Sequence, residues 1–122
     1  MTTTLIAEDE PTILVLAEGF VAALGHSTLT AHNGVEALAL IESEASIDLL
    51  FTDINFGMEP DGFVLAKTAR ERRPELKVLY TSGQAMTDGM QALMVEGAVF
   101  LPKPYTPEDL MASVTSLLPQ PN

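Results

Sequence analysis

The chain has 122 residues, 47% of them apolar, no cysteine, and 17 acidic against 6 basic side chains, which gives a formal charge of −11. This length is typical of one domain with a substantial core, and the missing cysteine excludes a disulfide framework, a thiolate metal site and a cysteine nucleophile. The excess of negative charge argues against nucleic-acid binding, because the phosphate backbone would be repelled.

The N-terminus, MTTTLIAEDEP, has no basic region and a short apolar patch of three residues, so it is unlike a signal peptide. No apolar run is long enough to span a membrane. The sequence therefore predicts a soluble, cytoplasmic protein with neither nucleic acid nor membrane as a partner.

Short apolar runs alternate with longer segments of helical period, a pattern typical of α/β proteins with a parallel sheet. The predicted strands are Thr3 to Ala7, Ser27 to Ala31, Ile47 to Thr52, Lys77 to Thr81 and Ala98 to Leu101. The predicted helices are Pro11 to Leu24, Val35 to Glu44, Gly62 to Arg73, Met86 to Glu96 and Pro107 to Leu118. Right-handed crossovers then predict a doubly wound (βα)5 three-layer sandwich, with a five-stranded parallel sheet in the flavodoxin-like order 2-1-3-4-5.

The chemically informative residues stand just past the predicted strands, where ligands of open α/β sheets bind. They are Glu8, Asp9 and Glu10 after the first strand, Asp53 after the third, Ser82 and Gly83 after the fourth, and Lys103 after the fifth. Each has an ordinary structural explanation in isolation, and Glu10 followed by Pro11 is typical of a helix start. Their convergence at one edge of the sheet predicts a single site.

Packed carboxylates repel one another unless they bind a cation, and a few hard oxygen ligands beside open positions suit Mg²⁺. Mg²⁺ would screen the Asp53 carboxylate for attack on an electrophilic phosphorus and would neutralise the transferred group. Lys103 would then pair with one phosphoryl oxygen, and the Ser82 hydroxyl would hydrogen-bond another. An aspartyl phosphate at Asp53 is the expected product.

Several segments make the chain similar to the response regulator receiver domains of two-component signalling. These segments are L-I-A-E-D-E-P, D-L-L-F-T-D-I-N with a downstream D-G pair, V-L-Y-T-S-G, and G-A-V-F-L-P-K-P-Y. The resemblance covers essentially the full length. It implies that residues 1–122 form a receiver domain of the single-domain type, with no output domain.

The resemblance assigns roles to the matching residues. It implies Asp53 as phosphoacceptor, Asp9 as a direct Mg²⁺ ligand, Glu8 as an acidic group acting partly through water, and Asn55 as a ligand through its backbone carbonyl. It further implies Lys103 as the phosphate-pairing cation, Phe100 as the aromatic switch side chain, and a cis peptide between Lys103 and Pro104. The switch hydroxyl is assigned to Ser82, with Thr81 as the rival, because the twenty-residue interval from Gly62 and the following Gly83 fit the family pattern better.

The function implied by the resemblance is that of a phosphoacceptor response regulator in a phosphorelay. Its phosphoryl donor would be a histidine kinase or a histidine phosphotransfer protein. Its output would be a conformational switch that a protein target recognises. The protein would be a monomer or a weak, phosphorylation-dependent dimer. It is not expected to be an enzyme, apart from promoting its own phosphorylation and dephosphorylation. The alternatives are a phosphorylation-independent scaffold and an aspartyl-phosphate hydrolase, although Ile54 and Asn55 stand where a hydrolase would want a second carboxylate.

Three segments allow either a structural or a partner-binding interpretation. The first predicted helix is almost entirely apolar, which indicates burial on most sides or an exposed apolar face for docking another helix. The resemblance implies that the histidine-containing helical bundle of a kinase or phosphotransferase docks next to this helix. Met86, Met90 and Met94 recur at four-residue spacing, as expected of core gap fillers or of an adaptable partner face. The basic cluster of Arg70, Arg72, Arg73 and Lys77 is expected chiefly to complement the end of the third helix, with a partner contact as the alternative.

Overall fold

The computed structural model describes residues 2–43 and 46–118, and within these ranges the chain forms five strands and five helices. The strands are β1 (Thr3–Ala7), β2 (Ser27–Ala31), β3 (Leu49–Asp53), β4 (Lys77–Ser82) and β5 (Val99–Pro102). The helices are α1 (Pro11–Ala23), α2 (Gly34–Ser43), α3 (Gly62–Arg72), α4 (Asp88–Leu93) and α5 (Pro107–Leu117). The parallel strands lie in the order β2-β1-β3-β4-β5, which confirms the predicted doubly wound fold. None of these helices is long and apolar enough to cross a membrane.

Successive side chains of the central strands alternate between two cores, one on each face of the sheet. On β3, Leu50 belongs to the core beneath α2 and α3, whereas Phe51 belongs to the core beneath α1 and α5. Every residue of β3 is buried. Burial on both faces is the reason that this strand has a continuous apolar run instead of a polar alternation.

Most predicted boundaries lie within two residues of the observed ones. The third strand begins at Leu49 instead of Ile47, although Asp48 is already fixed to β1, since its N–H donates to the Thr3 carbonyl oxygen at 2.8 Å. The second predicted helix ends at Ser43 within the described residues, and Glu44 lies outside them.

The prediction for the fourth helix is wrong at both ends, because α4 spans only Asp88–Leu93. At its start, the Thr87 hydroxyl oxygen accepts the Met90 N–H at 3.1 Å and caps the helix. At its end, Met94 is extended, with ψ 144°, and the Val95 N–H donates to Tyr80 Oη at 3.1 Å. A cap and a tertiary hydrogen bond therefore replace the outer turns that the apolar period predicted.

The arginines at the end of α3 hold neighbouring segments. Arg70 Nη1 donates to the Glu96 carbonyl oxygen at 3.1 Å, and Arg73 Nη2 donates to the Ile41 carbonyl oxygen at 2.8 Å. Arg72 pairs with the exposed Glu42 at 3.1 Å. These intramolecular contacts give the basic cluster a bracing role that its position in the sequence did not indicate.

Candidate functional site

Four neighbouring strands bring polar side chains to one edge of the sheet. Since β1 lies beside β3, β3 beside β4 and β4 beside β5, the residues that end or follow these strands meet there. An open cavity of about 320 Å³ is lined by Asp9, Asp53, Asn55, Ser82 and Lys103, among others. The strand order thus produces the convergence that the sequence predicted.

Lys103 bridges two buried carboxylates. Its Nζ lies 2.7 Å from Glu8 Oε1 and 2.7 Å from Asp53 Oδ1. Each carboxylate side chain is 4% exposed, whereas that of Lys103 is 21% exposed. Two short charge-assisted hydrogen bonds therefore offset the loss of solvation at this point.

The two bridged carboxyls differ in their affinity for a proton. Burial raises the pKa of Asp53 to about 8, and the hydrogen bond with Glu8 acts in the same direction against the opposing effect of Lys103. Burial would also raise the pKa of Glu8, but the hydrogen bonds with Asp53 and Lys103 outweigh it and lower that pKa. Hydrogen bonds to both carboxyls likewise overcome burial and raise the pKa of Lys103. The Glu8–Asp53 pair therefore holds one proton between its two carboxyls, and the Lys103 ammonium provides the positive charge beside them.

Three carboxylates form a group that fits a divalent cation. One oxygen from each of Glu8, Asp9 and Asp53 lies within 4.8 Å of the others. Asp53 Oδ2 is buried without a hydrogen-bond partner, and Asp9 is exposed, so the group opens toward solvent on one side. Few oxygen ligands beside open positions are what Mg²⁺ accepts. Glu10 is not in this group and stands instead at the N-cap of α1, as the helix-start interpretation predicted.

Asn55 lies at the cavity, but its side chain is engaged within its own loop. The Asn55 side-chain oxygen accepts the Gly57 N–H at 2.7 Å. The metal-ligand role expected for its backbone carbonyl stays a prediction. The expected cis peptide between Lys103 and Pro104 is present.

The two candidate switch hydroxyls lie on opposite faces of β4. Thr81 is registered with Asp53, and its hydroxyl oxygen is buried without a partner. Ser82 lines the cavity, and its Oγ accepts the Gln84 N–H at 3.0 Å. Phe100 does not line the cavity; it is half-buried against the core beneath α2 and α3. Tyr80 and Phe100 belong to that same core, and side chains alternate along a strand, so Ser82 lies on the same face of the sheet as Phe100. This shared face favours Ser82 over Thr81 as the candidate switch hydroxyl.

Gly62 has a structural role beside Asp53 that sequence reasoning missed. Its N–H donates to the Ile54 carbonyl oxygen at 2.7 Å, and an added Cβ would overlap the Asp53 carbonyl oxygen. Asp61 caps the same helix, because its Oδ1 accepts the Val64 N–H at 2.9 Å. The D-G pair thus allows α3 to begin directly against the end of β3, a close approach that only the three-dimensional structure reveals.

An apolar groove of about 620 Å³ adjoins the charged cavity. It is lined by Ile13, Leu16 and Phe20 of α1, by Pro104, Tyr105 and Pro107, and by Gly83 and Lys103. Gly83 and Lys103 also line the cavity that contains Asp53, so the groove leads to Asp53. Sequence reasoning identified the apolar face of α1 but missed the opposite wall, whose signal was the P-K-P-Y run around Lys103.

Comparisons with known proteins agree with this geometry. The family profile described as "Response regulator receiver domain" matches residues 4–115. A response regulator receiver protein from Sinorhizobium medicae is 33% identical, with a TM-score of 0.88 over 95% of this chain and 93% of that one. Response regulator TrrA from Thermotoga maritima, solved in complex with Mg²⁺ and BeF, is 25% identical, with a TM-score of 0.83 over 97% and 100%. Sensor kinase CckA of Brucella abortus is 29% identical over 118 residues, which span 95% of this chain and 12% of that much longer protein.

Proposed function

This chain belongs to the response regulator receiver domain family, and from that membership we propose that it accepts a phosphoryl group on Asp53 from a histidine kinase or a histidine phosphotransfer protein. The observation that carries the proposal is the bridge made by Lys103, whose ammonium lies 2.7 Å from Asp53 Oδ1. An acceptor carboxylate with a cation beside it and further carboxylates within 4.8 Å has the groups that phosphoryl transfer requires.

In the proposed step, a carboxylate oxygen of Asp53 attacks the phosphorus of a phosphohistidine. An O–P bond forms, the P–N bond breaks, and the imidazole nitrogen keeps the electron pair of that bond. When bound by Glu8, Asp9, Asp53 and the Asn55 carbonyl, Mg²⁺ supplies charge neutralisation for the phosphoryl oxygens. Asp53 attacks in its unprotonated form, so the proton that it shares with Glu8 leaves before the step. Lys103 then pairs with a phosphoryl oxygen as a point charge.

The signal would leave the site through Ser82. At present, Ser82 Oγ accepts the Gln84 N–H at 3.0 Å. A phosphoryl oxygen on Asp53 is a charged acceptor for the Ser82 O–H, and such a bond is stronger than a neutral one. Rotation of Ser82 toward it would break the bond to Gln84 and release the loop that enters α4, while Phe100 moves inward on the same face. The surface formed by α4, β5 and α5 would then be read by a protein target.

The apolar groove beside α1 is the surface on which the donor helix would dock. Leu16 lines this groove and is 55% exposed, whereas its neighbour Val15 is 66% exposed and does not line it. Leu16→Glu is expected to slow transfer from a panel of autophosphorylated histidine kinases, while Val15→Glu transfers normally. Equal effects of the two substitutions would contradict docking in this groove. Phosphorylation of both variants by acetyl phosphate should be unchanged, because a small donor does not use the groove.

The proposed chemistry is tested by intact-mass spectrometry after incubation with acetyl phosphate and Mg²⁺. The expected result is one added phosphoryl group, which is lost in Asp53→Asn and when Mg²⁺ is chelated. Glu10→Gln is the matched control, because Glu10 lies in the same acidic run but outside the carboxylate group. An adduct that persists in Asp53→Asn would overturn the assignment of the acceptor. Continuous turnover of phosphomonoesters would indicate a hydrolase instead.

A further inference from the structure

Helix α4 is held mainly by its ends. It has six residues, none of them buried, and Leu93 is 60% exposed. A helix this short does not persist on its own propensity. Its one methionine, Met90, is half-buried against the core beneath α2 and α3, as is Met94 just beyond the helix, so this part of the stripe is core packing. Besides this packing of Met90, the hydrogen bonds at the two ends therefore determine where α4 lies.

The carboxyl end of α4 is fixed by two hydrogen bonds from different elements. Tyr80 Oη, on β4, accepts the Val95 N–H at 3.1 Å. Arg70, on α3, donates from Nη1 to the Glu96 carbonyl oxygen at 3.1 Å. The Tyr80 ring is itself packed against Phe63, with ring centroids 5.6 Å apart, and is fully buried. The anchor is thus attached to the buried core of the molecule.

The amino end of α4 has a different attachment. The loop that enters the helix is tied at Gln84, whose N–H donates to Ser82 Oγ. This is the bond that the proposed switch would break. One end of α4 therefore depends on the state of Ser82, whereas the other end depends on Tyr80 and Arg70.

We propose that Tyr80 and Arg70 are positioning residues that make Val95 and Glu96 a fixed pivot, about which α4 swings when its amino end is released. The inference rests on the proposed function, because the release is the consequence of phosphorylation. Tyr80 stands two residues before Ser82 on β4 and is registered with Phe100 on β5. The same strand therefore provides both the switch and the pivot, and a rotation about the pivot turns a small change at Ser82 into a displacement of the exposed face of α4.

Amide exchange measured by NMR on the full chain tests the pivot. The states compared are the free protein and the protein with Mg²⁺ and beryllofluoride, a phosphoryl mimic. In the unchanged chain, the mimic is expected to alter the Gln84 and Gly89 amides while the Val95 amide stays protected. Tyr80→Phe removes one oxygen and keeps the ring, so Val95 exchange should become about five-fold faster in the free protein. In that variant the mimic should also perturb Val95 and Glu96, because the pivot is lost.

The controls separate a positioning role from a general loss of structure. Tyr105→Phe removes a hydroxyl that lies outside this anchor and should leave Val95 exchange and the response of α4 unchanged. Arg70→Gln should reproduce part of the Tyr80→Phe effect from the other side of the anchor. Affinity for Mg²⁺ should be equal in all of these variants, because none of them changes a group of the carboxylate site.

Two outcomes would overturn the pivot. The first is that, in the unchanged chain, binding of the mimic reduces the exchange protection of the Val95 amide as strongly as that of the Gly89 amide. The second is Val95 exchange that is indifferent to Tyr80→Phe. A protein whose Asp53 surroundings do not respond to Mg²⁺ and the mimic would instead refute the proposed function and, with it, the release that drives the pivot.

Discussion

The Thr81 hydroxyl is buried without a hydrogen-bond partner, on the strand next to the one that ends at Asp53. Valine has the same shape and lacks the unpaired polar atom. Thr81→Val is therefore expected to raise the free energy of unfolding by about 1 kcal/mol. Urea unfolding of the two proteins, without Mg²⁺, measures the difference. A loss of stability would mean that the hydroxyl has a partner in solution.

Ser82→Ala is the complementary change, because Ser82 Oγ accepts the Gln84 N–H. It should lower the free energy of unfolding by about 1 kcal/mol. It should also abolish the response of Phe100 to beryllofluoride, which Thr81→Val retains. The reverse pattern would make Thr81 the switch hydroxyl.

Occupation of the carboxylate group by a cation should stabilise the fold. At a Mg²⁺ concentration of about ten times Kd, the free energy of unfolding is expected to rise by about 1.4 kcal/mol, since only the folded state brings these ligands together. Asp53→Asn should lose this increment, while Glu10→Gln keeps it. Urea unfolding with and without Mg²⁺, at matched ionic strength, gives the comparison. An equal increment in Asp53→Asn would show that the cation binds elsewhere.

The composition of the site could be predicted at this scale because its residues follow the strands in sequence. Glu8, Asp53 and Lys103 each stand at a strand end, and the strand order alone brings them together. The opposite pKa shifts of Glu8 and Asp53 could not be predicted, because they depend on the burial of both carboxyls and on the two contacts of Lys103. The hydrogen bond from the Gln84 N–H to Ser82 Oγ likewise depends on the loop geometry, which the spacing of residues in the sequence does not encode.

At the scale of elements, two glycines provide a matched pair of predictions. Gly62 begins α3 where an added Cβ would overlap the Asp53 carbonyl oxygen and lie 2.7 Å from the Ile54 Cα. Gly62→Ala is expected to cost about 3 kcal/mol, because backbone must shift to relieve the overlap. Gly19, within α1, has nothing within 4 Å of the same position, so Gly19→Ala should stabilise the helix by about 0.5–1 kcal/mol.

Thermal unfolding of the two variants measures both effects with opposite expected signs. Gly62→Ala should also impair acetyl phosphate labelling, since it displaces the end of β3 that carries Asp53. Destabilisation of similar size in both variants would contradict the close approach of α3 to β3.

Strands and long helices could be predicted closely because local pattern and tertiary environment agree there. β1 and β2 have their predicted bounds, and Pro11, Gly62 and Pro107 begin their helices as expected. The agreement fails at α4. The four-residue spacing of the methionines continues past Leu93, but the Val95 N–H donates to Tyr80 Oη instead of to a helical carbonyl oxygen. A contact between residues 80 and 95 is invisible to a periodicity argument, so tertiary structure decides the end of this helix.

At the scale of the whole molecule, charge is separated along the strand direction. Glu8, Asp9 and Asp53 lie at the carboxyl ends of the strands, whereas Lys77 begins β4 at the opposite edge, near the end of α3 with its arginines. With a net charge of −11, the resulting field favours cations at the carboxyl edge. Lys103, bound between Glu8 and Asp53, is the described cation within that acidic cavity.

The two tyrosines of the chain report on the two sides of the sheet. Tyr80 lies in the core beneath α2 and α3, and Tyr105 packs against the core beneath α1 and α5, with its ring 6.0 Å from that of Phe51. Burial raises the pKa of Tyr105 to about 12 and also raises the pKa of Tyr80. Both phenols are therefore protonated in the folded state at a pH where they ionise in the unfolded chain.

This difference makes the fold sensitive to alkali. Unfolded tyrosine ionises near pH 10, so between about pH 10 and pH 12 the folded state binds more protons than the unfolded state, and the free energy of unfolding falls as the pH rises. Below this window the contribution is fully present. Because the chain has no tryptophan, phenolate absorbance reports the tyrosines directly, and the native titration should lie above that in urea. Tyr105→Phe should lose less stability than the unchanged chain between about pH 10 and pH 12. Coincident native and unfolded titrations would instead place both phenols in water.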